Sequence, residues 1–258
     1  MAVRAPLARA AKEAQAGAGA RLRPPARVAA VDALRGIAIV AMIGYHFSFD
    51  LRLFGLARFD FENGPLWLAA RAAIVATFLA LCGVSLVLAR RDGVTAARRW
   101  RRIGVIAACA LAASAASWLL FPRSYIWFGV LHCIAVSSAV AWPFTRHPRL
   151  ALACGVAVIV AGLALTHPAF DARALAWIGF TTTKPATEDY VPLFPWLGVA
   201  LVGVAAGDAI ARRSFAPLAF LMRAPRTIAW LGRHSLAVYM VHQPVLIGAL
   251  ALALRRLP

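Results

Sequence analysis

From Ile103 to Phe121 the chain runs for nineteen residues without an Asp, Glu, Lys or Arg, and Ala72–Ala89 and Ser235–Leu254 do the same. Runs of about 20 apolar residues match a hydrocarbon layer about 30 Å thick. Inside such a layer every backbone N–H and C=O must find a partner within the protein, so these runs form helices. Apolar residues make up 62% of the 258, and mean hydropathy is +0.74. That is well above a soluble domain. An integral, all-α, polytopic transmembrane helix bundle follows.

Length and hydropathy place about seven spans, over residues 33–51, 65–89, 103–121, 126–143, 149–166, 191–211 and 232–254. The span over 149–166 is short and ends at Thr166-His167-Pro168. The formal charge of +18 could indicate a nucleic-acid partner, but the arginines gather in alternate connections between spans. Arg90, Arg91, Arg98, Arg99, Arg101 and Arg102 lie between spans two and three, and Arg212, Arg213, Arg223, Arg226 and Arg233 between six and seven. The positive-inside rule then puts the N-terminus in the cytoplasm and the C-terminus outside, with Arg255 and Arg256 as exceptions. No nucleic acid is expected; the expected partner is membrane lipid.

Residues 1–30 are rich in Ala, Arg and Pro and have no apolar core, which predicts a disordered basic cytoplasmic tail; residues 31–258 form a single membrane domain. Cys82, Cys109, Cys133 and Cys154 lie within apolar runs without CxxC spacing, so neither disulfides nor a metal site are expected.

Titratable groups inside apolar runs are costly and call for a reason. His46, Arg71, His132 and His242 come from four different spans and fall in the outer half to the midplane of the membrane. Asp50 follows His46 by four residues, on the same helix face. A carboxylate in that position can set the imidazole tautomer and raise its basicity, as a general base requires. The bland alternatives are an interhelical hydrogen bond for the histidines, a helix end for Asp50 and snorkelling to headgroups for Arg71. At the inner end of span one, in VDALRG, Asp32 can cap the helix and pair with Arg35, and Gly36 lets a backbone or ligand come close. Arg35 could equally hold a phosphate of a donor cofactor.

Five stretches carry a resemblance: RVAAVDALRGIAIVAMIGYHFSFDL (Arg27 to Leu51), FLALCGVSLVLARR (Phe78 to Arg91), WFGVLHCIAV (Trp127 to Val136), PLFPWLGVALVGVAAG (Pro192 to Gly207) and WLGRHSLAVYMVHQPVL (Trp230 to Leu246). In this order they resemble bacterial membrane proteins related to the catalytic domain of heparan-alpha-glucosaminide N-acetyltransferase. The resemblance implies transfer of an acetyl group from cytosolic acetyl-CoA to an acceptor across the membrane, with a histidine near the outer end of the first family helix in the chemistry. In the lysosomal enzyme that histidine follows the helix; here Leu53 to Glu62 has none, and His46 falls where that enzyme carries an asparagine.

The expected activity is therefore acyl-CoA-dependent acetyl transfer to an extracytoplasmic sugar, glycan or other small acceptor. Catalytic candidates are His46, Asp50, His132 and His242; donor-binding candidates are Arg35, Gly36 and Arg71. Direct attack and an acyl-histidine intermediate both fit, and the resemblance allows a homodimer. The rival from another class is a proton-coupled transporter of small molecules or lipid-linked sugars, which the absence of an inverted repeat disfavours.

Overall fold

A computed structural model describes residues 26–255; residues 1–25 and 256–258, with the expected tail and Arg256 among them, lie outside the described residues. Eight α-helices of eight residues or more carry the fold: α1 Ala26–Leu53, α2 Pro65–Arg91, α3 Ala96–Leu120, α4 Val130–Ala141, α5 Pro148–Ala164, α6 Leu193–Arg212, α7 Arg226–Arg233 and α8 Ser235–Leu254. Ala216–Arg223 is a 3-10 helix between α6 and α7. The all-helical expectation holds among the described residues.

Five helices, α1, α2, α3, α6 and α8, are long and apolar enough to cross a membrane. The two other expected spans are shorter: α4 has 12 residues and α5 has 17. At 1.5 Å per residue α4 is about 18 Å long, short of a hydrocarbon layer. It gives way at Trp142 to the 3-10 turn Pro143–Arg146. Helix α1 also begins earlier than expected, at Ala26, so Asp32 is inside the helix and does not cap it.

Close backbone approach explains the packing order, since lipid offers helices no hydrophobic reason to associate and small residues let them touch. At Gly203 a Cβ would strike the carbonyl of Ala80, and at Gly207, one turn on, the Cα of Val84, one turn on from Ala80, so α2 and α6 run side by side in the same direction. Gly155 and Gly198 meet reciprocally and hold α5 antiparallel to α6. Leu86, Val87, Ala141, Ala151, Leu197, Leu201 and Val204 close this interior. Gly36 and Gly232 bring α7 against α1, where any Cβ would meet Ile228 or Asp32 backbone.

Near the other end of α2, Val75, Leu79, Phe128, Val130, Cys133, Val191 and Ala200 form a second core, against which Tyr239 of α8 packs. Here the Val130 N–H, unpaired within α4, donates to Asp189 Oδ2 at 2.8 Å. Asp171 similarly ties the connection before α6 by accepting from the Thr182 N–H at 2.7 Å. Helices α1 and α8 start at the arginine-rich end and run the same way, so the described chain begins and ends at opposite ends of the bundle.

Candidate active site

At the end of the bundle away from the arginine-rich connections, the last turns of α1 lie along α8. The ring of His46 stands 4.9 Å from that of His242, at an interplanar angle of 64°. One turn further along α1, Asp50 is wholly buried, with 0% exposure, and its Oδ1 accepts a 2.6 Å hydrogen bond from Gln243 Nε2. The same-face spacing of His46 and Asp50 is therefore used, but across helices: each residue meets α8 at one of two consecutive positions. The expected orientation of His46 by Asp50 gives way to Asp50 held by Gln243. Gln243 was missed among the sequence candidates; an amide beside a histidine in an otherwise apolar run, just before Pro244, was the available signal.

The tautomer of His242 follows from geometry. Its Nδ1 lies 2.6 Å from the Tyr239 carbonyl, which can only accept, so Nδ1 carries the proton and Nε2 keeps its lone pair. That Nε2, Asp50 Oδ2 and Gln243 Oε1 are the buried side-chain N or O atoms left without a partner among the described residues. Gln243 must turn its NH₂ to the carboxylate, so all three unpaired atoms present lone pairs. Buried polar atoms are nearly always satisfied, and a cluster of exceptions marks a place built for chemistry or for a ligand. Pro244, lacking an N–H, removes one helical hydrogen bond beside this cluster.

An aromatic wall stands over it. Tyr45, next to His46, meets Phe61 and Trp67 at centroid distances of 5.3 and 5.9 Å, and Phe61 meets Trp67 at 4.3 Å. Arg71 follows Trp67 by one helical turn on α2. Burial pushes the Asp189 carboxyl above its usual range, opposed by the Val130 N–H and the Arg71 charge.

The family model for heparan-alpha-glucosaminide N-acetyltransferase, catalytic, matches residues 27–244, from the start of α1 to just past His242 and Gln243. The chain belongs to this family. No curated protein and no solved structure matches it significantly. Together with its long apolar helices, membership of the heparan-alpha-glucosaminide N-acetyltransferase family makes the chain an integral membrane protein of acetyltransferase type.

Within this member of the family the remaining candidates lie elsewhere. His132 sits in the first turn of α4, where Nδ1 accepts from the Gly129 N–H at 3.2 Å and Nε2 lies 3.4 Å from Ser114 Oγ. It caps α4 and links it to α3, and none of its described contacts reaches the His46–His242 pair. Arg35 pairs with Asp32 at 2.8 Å, as the sequence suggested, and also donates to Ser85 Oγ at 2.9 Å and the Gly232 carbonyl at 3.4 Å. Gly36 admits the backbone of Ile228. Both residues join α1 to α7 and α2, and the approach that Gly36 allows is that of a helix.

A cavity of about 400 Å³ between α3 and α8 is lined by Cys109, Arg233, His234, Leu236, Ala237 and Met240. It starts at the arginine-rich end and reaches Met240, two residues before His242, a rise of about 3 Å.

Proposed function

We propose that the chain transfers an acetyl group from acetyl-CoA, taken up at the arginine-rich end, to an amine or hydroxyl acceptor at the opposite end of the bundle. The observation that carries this reading is the pairing of His46 with His242 beside three unpaired buried lone-pair atoms. The positive-inside distribution makes the donor side cytoplasmic. The donor arm lies along the α3–α8 cavity with its mouth at His234, and the thioester comes up past Met240.

His242 Nε2, the lone pair fixed by the Tyr239 carbonyl, takes the acceptor proton as the acceptor nitrogen or oxygen bonds to the acyl carbon. The carbon–sulfur bond breaks and the CoA thiolate leaves toward the cytoplasm, where it is protonated. His46 faces this base and positions the acceptor; Asp50 and Gln243 bind its donor groups. Arg71 offsets negative charge on the acyl oxygen as the tetrahedral species forms. Tyr45, Phe61 and Trp67 suit the apolar face of a sugar ring.

The test uses purified full chain with acetyl-CoA labelled in the acetyl group and glucosamine as a first acceptor. Transfer of label that requires acceptor and is lost in His242→Ala, with acetyl-CoA still raising the melting temperature of that variant, supports the reading. A wild-type protein that neither binds acetyl-CoA nor hydrolyses or transfers its acetyl group overturns it.

A further inference from the structure

After Asp208 the sequence contains no Asp or Glu, yet Arg212, Arg213, Arg223, Arg226 and Arg233 follow within 25 residues of it. Asp208 itself is engaged by Arg91 at 3.0 Å and Arg212 at 2.6 Å. The segment from Ala216 to Arg233 is therefore uniformly cationic, and its fold sorts its side chains into two faces.

In the 3-10 helix, three residues per turn put Leu218, Leu221 and Ala224 on one face. That face packs on Ala30, Ala33 and Leu34 of α1. Phe220 and Met222 point away, 69% and 51% exposed. In α7, Ile228 and Gly232 are applied to α1, while Arg226, Trp230 and Arg233, at i, i+4 and i+7, share the opposite face. Trp230 is 50% exposed. A cavity of about 520 Å³ lies on this face, lined by Arg226, Thr227, Trp230, Leu231 and Arg233.

We propose that this segment is a binding site for an anionic phospholipid: a headgroup phosphate lies between Arg226 and Arg233 beside Trp230, and Phe220 and Met222 enter the adjoining acyl region. Charge complementarity selects the occupant. Arginines in a groove match phosphate oxygens, tryptophan favours the headgroup level of a bilayer, and exposed Phe and Met beside cationic side chains belong at that boundary. A peptide partner would leave Phe220 and Met222 in the lipid-facing layer unused. Since α7 rests on α1 through Gly36 and Gly232, a bound headgroup also fixes the start of the helix that carries His46.

The full chain is reconstituted in nanodiscs of phosphatidylcholine with or without phosphatidylglycerol, and its melting temperature is compared. Phosphatidylglycerol raises it by several degrees, and Arg223→Gln/Arg226→Gln loses most of that increment, whereas Arg98→Gln/Arg101→Gln, two exposed arginines of another connection, keeps it. Native mass spectrometry of the wild type, which needs no variant to fold, retains phosphatidylglycerol over phosphatidylcholine, and Trp230→Ala releases it. Equal retention of both lipids, or an increment undiminished in Arg223→Gln/Arg226→Gln, overturns the proposal. So does displacement of the lipid by free CoA at saturating concentration, which would assign the groove to the donor phosphates.

Discussion

The imidazoles of His46 and His242 meet edge to face, 4.9 Å apart, although they lie 196 positions apart in the chain. Their meeting makes two roles separable. His242 has a fixed tautomer, with Nδ1 on the Tyr239 carbonyl, while His46 makes none of the described hydrogen bonds and is ordered by ring contacts with His242 and Tyr45. Replacing His242 by Ala is expected to lower acetyl transfer by about 10²–10⁴, the usual worth of a general base. His46→Ala is expected to act more on the acceptor KM. Steady-state CoA release against acceptor concentration checks both, with yield and melting temperature confirming that each variant folds.

Gln243 donates to a carboxylate that has no exposure to solvent. Gln243→Leu removes that donor and leaves Asp50 buried without a described partner, at a cost of about 1–3 kcal/mol. Gln243→Leu combined with Asp50→Leu is expected to recover part of that loss, because no buried charge is left uncompensated. Thermal unfolding of the single and double variants measures the coupling.

Gly232 and Gly36 allow α7 to lie on α1. Gly232→Val drives a side chain into the Asp32 backbone, far from the histidines, and is expected to destabilise the arginine-rich end. Overpacking of this kind typically costs about 1–3 kcal/mol. Gly44→Ala, at a helical position with open space around it, is the matched control and is expected not to lower the melting temperature, since Ala is the better helix former.

Asp171 offers a pH test outside the spans. The Thr182 hydroxyl, with the N–H groups of Thr182 and Thr183, holds its carboxyl below the usual range. A lowered folded value means stability that is present above the unfolded carboxylate value and is lost as pH falls through the folded one. Amide exchange at Thr182 and Thr183 is therefore expected to accelerate, beyond its intrinsic pH dependence, as the solution is acidified through and below the ordinary carboxylate range. Asp171→Ala removes this dependence, as hydrogen-exchange mass spectrometry of the connection would show.

Much of the helical plan was legible because each element announces itself by length. Helices α2, α6 and α8 appear within a few residues of where hydropathy puts them, while α3 starts at Ala96, seven residues before its apolar run, because the arginines ahead of that run are helical too. Local spacing was legible too: Asp32 and Arg35 are three residues apart and pair. Helix α7 was not, since its eight residues are too few for a span, and their amphipathic pattern merges with the basic connection around them. The early start of α1 escaped for a related reason: Ala, Val and Arg at 26–31 suit a helix as well as a tail. The 12-residue length of α4 depends on Trp142 and Pro143 turning the chain, which an apolar run by itself does not disclose.

The sequence by itself determined that this chain lives in a membrane, where its charges gather, to which family it belongs, and that His46 and Asp50 share a helix face. Only the tertiary structure decided what that face meets. Spacing along one helix specifies direction, but the partner depends on which glycines let other helices approach, and at what rotation. Gly36 and Gly232 seat α7 and so set the path of α8, which brings His242 to His46 and Gln243 to Asp50.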